Sequence, residues 1–158
     1  MSSQEDLVSA HWSDALTRMS ACGDAVEWAQ TQPSYAVAWR RCQRPDWLLW
    51  LAGQRCRTLT QRRAIVLAAC DCAETALRYV PAGELRPAEA IRVARAWVRR
   101  KATLQDVCAA YAAYAAANAT SAYAADAAAY ASADAARERA RRSDCRFIRA
   151  RIQRPVLP

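Results

Sequence analysis

Apolar positions in this chain of 158 residues recur mostly at spacings of three and four, the period of a helix that buries one face. The clearest stretch runs from Thr58 to Tyr79. There Val66, Ala69, Cys70, Ala73, Ala76, Leu77 and Val80 share one face, and Arg63, Asp71, Thr75 and Arg78 lie opposite. A second stretch starts at Pro87 and runs to about Lys101. It turns Ala90, Ile91, Ala94, Trp97 and Val98 inward, with Arg92, Arg95 and Arg99 as an outer stripe. Start and stop residues divide the rest of the chain. A first helix is expected from about Gln4 to Met19, and Gly23-Asp24 breaks it. Asp24 then caps a short helix reaching Gln30. Pro33 opens a helix from Ser34 to Cys42, and Pro45 opens one from Asp46 to Ala52 that Gly53 closes. Thr103 and Asp106 read as a capping box with Asp in place of Glu. Ser143 reads as the cap of a final short helix that docks Cys145, Ile148 and Ile152 on the core.

The stretch from Ala109 to Ala136 is different in kind, because nineteen of the residues from 109 to 140 are alanine. Alanine is the strongest helix former, so one long helix is expected, or two broken near Asn118–Thr120. Small side chains let helix backbones approach closely, and Tyr111, Tyr114, Tyr123 and Tyr130 fill the remaining space. Disordered tracts are charged and poor in aromatics, and this one is neither. Asn118, Asp126 and Asp134 argue against a membrane span, and nowhere does an uninterrupted apolar run of about 20 residues occur. Three glycines and six prolines are too few for the turns of a sheet protein. The expected architecture is therefore all-α: a single domain over 1–158, a bundle of about seven to nine helices. A long Ala-rich helix or helical hairpin occupies the C-terminal half.

Charge changes the picture at one end. The formal net charge is +8, and eight arginines between Arg137 and Arg154 face only Glu138 and Asp144. Positive charge is thus a property of a basic C-terminal segment, 137–158. Such a block attracts nucleic acid, acidic protein or anionic lipid, or else forms a solvated helix face.

The seven cysteines suggest little chemistry. Their number is odd, the N-terminal stretch MSSQEDLVSAHWSD has no secretory character, and Cys70 and Cys72 diverge by about 200° around a helix. Reduced core thiols in a cytoplasmic protein are expected, with no metal and no cofactor. One histidine, His11, leaves little basis for a nucleophile–base pair, and isolated glycines form no phosphate loop. The expectation is a protein without catalytic residues.

Two binding chemistries remain. Trp28, Trp39, Trp47 and Trp50 either knit the short N-terminal helices together or form a hot spot. With Arg40, Arg41 and Arg44 nearby, a base-stacking platform stays open. Arginine stripes (Arg62, Arg63, Arg92, Arg95 and those from 137 to 151) suit phosphate binding or capture of an anionic nucleotide signal. The helices at 58–79 and 87–101 are too long and too widely joined for a helix-turn-helix.

The order A-C-G-D-A-V-E-W, then A-W-R-R-C-Q-R-P-D-W-L-L-W-L, then L-A-A-C-D-C-A, then P-A-G-E-L-R-P-A-E-A-I-R-V-A-R-A-W carries a resemblance over about residues 20 to 140. It resembles the "immunity protein five"-like helical family of bacterial polymorphic toxin systems. Trp28, Trp39, Asp46, Trp47 and Trp50 match the N-terminal signature, and Glu84, Arg86, Pro87 and Trp97 match the second block. The resemblance implies a cytoplasmic toxin inhibitor that acts by binding. Its basic end, including Arg137, Arg141 and Arg142, then requires a toxin or effector with an acidic surface. Contacts are expected at Glu84, Arg86, Arg92, Arg95 and Arg99, while the tryptophans serve the fold. A nucleic-acid or nucleotide sponge is the alternative, and the Ala-rich face is compatible with a homodimer.

Overall fold

The computed structural model describes residues 11–110 and 134–158. Every regular element among them is helical: α1 (Asp14–Arg18), α2 (Gly23–Gln30), α3 (Tyr35–Arg41), α4 (Pro45–Gln54), α5 (Leu59–Ala76, followed by the 3-10 turn Leu77–Tyr79), α6 (Arg86–Val98), α7 (104–110) and α8 (Asp134–Arg151). The protein is an all-α bundle. The expectations for 1–10 and for most of the Ala-rich tract, 111–133, lie outside the described residues.

Local chemistry accounts for most boundaries. Ser34 Oγ accepts the Val37 N–H at 3.3 Å and so caps α3. Pro45 sits in the first turn of α4, where no amide hydrogen is needed. Thr58 and Gln61 form a reciprocal capping box at the start of α5: Gln61 N–H reaches Thr58 Oγ1 at 3.1 Å, and Thr58 N–H reaches Gln61 Oε1 at 3.0 Å. Thr103 and Asp106 exchange the same pair of bonds ahead of α7.

Two stops are made without glycine. Ser20 and Arg100 take φ of 62°, and the next residues, Ala21 and Lys101, return their N–H groups to Leu16 O and Ala96 O. This is the six-to-one bond of a Schellman ending. Gly83, at φ 87°, makes the turn from Pro81 to Glu84 that no β-carbon would favour.

Several expectations need correction. Within the described part of the expected Gln4–Met19 helix, residues 11–13 are not helical and the helix runs from Asp14; α2 begins at Gly23 with Cys22 rather than Asp24 at the cap position. Gly53 lies inside the last turn of α4. Ser143 is interior to α8 (Asp134–Arg151), so it caps nothing.

The face of α5 is also rotated from its expected position. Ala68 is fully buried and Cys70 is buried, whereas Ala69 and Ala73 are exposed. Asp71 and Thr75, expected outside, turn toward α8, and Thr75 Oγ1 lies 3.3 Å from Asp144 Oδ1. The reason is that α5 is the central helix, packed by α8, α6 and α4.

One core cluster draws from both ends of the chain. Leu16, Trp39, Leu48 and Leu51 of the N-terminal helices meet Ala68 of α5 and Cys145 and Ile148 of α8. Ile148 and Cys145 are the largest fully buried side chains among the described residues, so α8 is the plug that closes the N-terminal layer. Arg149, beside them, donates from Nε to Trp39 O at 2.8 Å and from Nη2 to Cys42 O. A guanidinium thus satisfies the carbonyls that end α3, where the helix dipole favours positive charge. Arg149→Met keeps the stem but loses both charged donors, and should cost about 2 kcal/mol in urea denaturation. The exposed Arg141→Met should lie within about 0.5 kcal/mol of the parent.

Candidate partner-binding surface

The expected contact residues on α6 are matched within the chain. Glu84 receives Arg86 Nε at 2.7 Å, Nη2 and the Arg86 amide at 2.9 Å. Those bonds, the side-chain one foremost, hold the Glu84 carboxyl down to about 2. Arg92 grips Glu89 one turn back, with Nε 2.6 Å from Oε2. Arg95 bridges to Asp71 at 2.7 Å and Glu74 at 2.8 Å. Arg151 of α8 joins the same Asp71 from the other side. Asp71 is therefore the hinge pin of a junction between α5, α6 and α8, with its side chain 13% exposed.

The other expected cations are scattered. Arg99 is exposed beside Arg100 and Lys101 at the end of α6, Arg62 is exposed on α5, and Arg63 is half-buried with its Nε lacking a hydrogen-bond partner. Arg137 sits on the first turns of α8, and Arg141 and Arg142 are exposed further along it.

The tryptophans surround the N-terminal core. Trp39 is buried, and Trp28, Trp47 and Trp50 are half-buried around an apolar cavity of about 50 Å³ that Trp12 and Leu16 also line. A space of that size admits no sizeable ligand. Trp28 and Trp47 meet at a tilt of 53° with 5.9 Å between centroids, and Arg44 lies over Trp47 at 4.5 Å. Arg44 is itself held by Asp46 through bonds of 2.7 and 3.0 Å. That outer ring face is thus already occupied. Trp97 is half-buried on α6.

Several potential nucleophiles are withdrawn, although Cys22 and Cys108 are exposed. His11 Nδ1 lies 2.7 Å from Ser13 Oγ, but Ser13 is fully buried, and the contact closes a turn between residues two apart. Burial raises the thiols of Cys42 and Cys70 and pushes those of Cys72 and Cys145 up to about 12, far from the thiolate form. Among the described residues no group of three or more His, Cys, Asp or Glu side chains is placed to hold a metal, and no helix is long and apolar enough to cross a membrane.

A different set of arginines shares a groove. Arg55 and Arg57, at the end of α4 and just before α5, meet Arg151 and Arg154 across a concavity of about 550 Å³, and no Asp or Glu among the described residues lines it. Its outer wall is the segment 152–158, which crosses the N-terminal helices and is fastened to them. Tyr35 Oη donates to Pro155 O at 2.6 Å, Arg55 Nε to Val156 O at 2.7 Å, and Arg154 lies 5.2 Å from the Tyr35 ring centroid. Desolvation lifts the Tyr35 phenol to about 12 despite the two nearby arginines, so it stays a donor.

Arg55 and Arg57 were not singled out from the sequence. The visible signal was two arginines directly ahead of the Thr58 cap, opposite a chain end rich in the same residue. No family model, curated protein or solved structure matches the chain.

Proposed function

We propose that this chain is a non-enzymatic binding protein, immunity-like, that neutralises a toxin or effector with an acidic surface by sequestering it. The observation that supports this most is how the arginines divide. Those on α6, with Arg151, are committed to carboxylates of the same chain. Arg55, Arg57 and Arg154 instead border a groove without an acidic wall, and no carboxylate among the described residues pairs with them. Positive charge left uncompensated on a rigid helical frame steers and selects a negative partner. The resemblance to the immunity family agrees with this reading. A cytoplasmic setting suits seven free thiols.

The reading is tested by passing a nuclease-treated lysate of the encoding organism over the purified protein at about 150 mM salt. The expected result is one acidic protein that co-elutes and forms a stoichiometric complex by light scattering. Recovery of nucleotide or nucleic acid alone, released as salt is raised, would replace this reading with the anion-sponge alternative.

A further inference from the structure

We infer that the groove between the end of α4, the first turn of α5 and segment 152–158 is the docking site for an acidic, partly aliphatic peptide segment of the protein partner. The inference rests on the protein-binding reading above and names its site and its chemistry.

Three features select that occupant. The first is charge: Arg55, Arg57, Arg151 and Arg154 line the groove and no carboxylate among the described residues does. Asp71 neutralises Arg151 from behind, which leaves three cations for a ligand. The first turn of α5, whose Thr60 and Gln61 also line the groove, adds the positive end of a helix of 18 residues.

The second is pre-organisation. Arg55 spends its Nε–H on Val156 O, and Arg154 lies against Tyr35, so two of the three guanidinia are positioned before anything binds. Each retains further donors in the planar fork that matches a carboxylate. Side chains already ordered lose less freedom on binding.

The third is the rest of the lining. Ala52, Ala64, Ile65 and Ile152 contribute aliphatic surface, and no aromatic ring among the described residues lines the groove. A nucleobase would find no aromatic ring to stack on, and aromatic platforms are what single-strand channels add to backbone charge. Glutamates and aspartates interspersed with leucine-sized residues meet both the cations and the floor.

The test is fluorescence anisotropy at about 150 mM salt, with a labelled peptide of four Glu-Glu-Leu repeats as probe and an unlabelled oligothymidylate of equal length as competitor. Arg57→Glu with Arg154→Glu should weaken peptide binding about tenfold or more, since like charges then face the ligand. Arg18→Glu with Arg40→Glu changes net charge equally at exposed positions that do not line the groove, and should stay within about twofold of the parent. Melting temperatures establish that both proteins are folded. Arg57→Glu alone, which leaves the Tyr35 contact intact, carries the test if the double variant is unstable. Equal losses in both double variants would overturn the site. So would an oligothymidylate that displaces the peptide at lower concentration, and that result would also count against the protein-binding reading. An acidic protein partner that binds R57E/R154E as tightly as the parent would sink the groove and leave the sequestration reading standing.

Discussion

Replacing Ile148 with alanine should destabilise the fold by about 3–4 kcal/mol, the upper part of the range for large-to-small changes at fully buried positions. Ile148 has no exposed surface and belongs to the same cluster as Leu16, Trp39, Leu48 and Leu51. Truncation removes the transfer free energy of three carbons and leaves a void that rigid indole neighbours are slow to fill. Ile148→Val should cost only about 1 kcal/mol. In a protein of this size the alanine variant should melt roughly 10 °C lower. Urea denaturation at neutral pH measures both variants. A loss below about 1 kcal/mol for alanine would mean that α8 does not close the N-terminal layer.

Asp71→Ala should be the most damaging change to a charged residue. It leaves Arg95 and Arg151 converging on an empty position, and like charges without their counter-ion are what makes a broken partly buried pair costly. Glu74 still satisfies one side of Arg95, and the Arg151 side chain is 37% exposed, so the expected loss is about 2–3 kcal/mol. The pH dependence has a definite sign. Burial alone would raise the Asp71 carboxyl, but hydrogen bonds from Arg151 and Arg95 outweigh it and hold the group below its ordinary value. A carboxyl depressed in the folded state stabilises fully above its unfolded pKa of about 3.9, and that stabilisation fades as pH falls through the lower folded value. The parent should therefore lose its advantage over Asp71→Ala as pH falls below about 4. Asp46 and Glu84 shift in the same direction and Asp144 in the opposite one, but all three are present in both proteins and drop out of the difference. A gap between the two proteins that stays constant from pH 7 to pH 3 would refute the junction.

Part of the helical architecture was legible because caps act locally: Pro45 and the Thr103–Asp106 pair stand within a few residues of the groups they satisfy. The Ser34 cap and the Thr58–Gln61 box are just as local but were not read, and Pro33, expected to open α3, lies one residue outside the Ser34 cap. The pairs Glu84–Arg86 and Glu89–Arg92 are equally local, the second at helical i,i+3 spacing, yet Glu84, Arg86 and Arg92 were read as contacts for a partner rather than for each other.

Orientation was harder to read. In a helix where alanine dominates both faces, hydropathy barely distinguishes Ala68, which is sealed, from Ala69, which is open. Asp71 looked like a solvent-facing residue because its partners lie 24 and 80 residues away. The basic C-terminal run read as one property of the chain, yet its members do different things. Arg149 ends a helix, Arg151 pins a junction and Arg154 borders the groove. Tertiary contact assigns those roles, and a one-dimensional charge count averages over them. Arg55 and Arg57 gained their significance only when segment 152–158 was seen to lie across them.

That crossing segment has a consequence for the order in which the protein is made. Tyr35, Arg55 and the end of α3 bond to residues more than 100 positions later. The N-terminal helices emerge from the ribosome first, but their shared core lacks its plug until residue 148 and its neighbours have been synthesised. Until then Leu48, Leu51 and the tryptophans form an unfinished hydrophobic bowl. Closing so long a loop slows folding relative to a bundle of neighbouring hairpins. Nascent chains interrupted before α8 should be captured by chaperones, which bind exposed apolar surface of this kind.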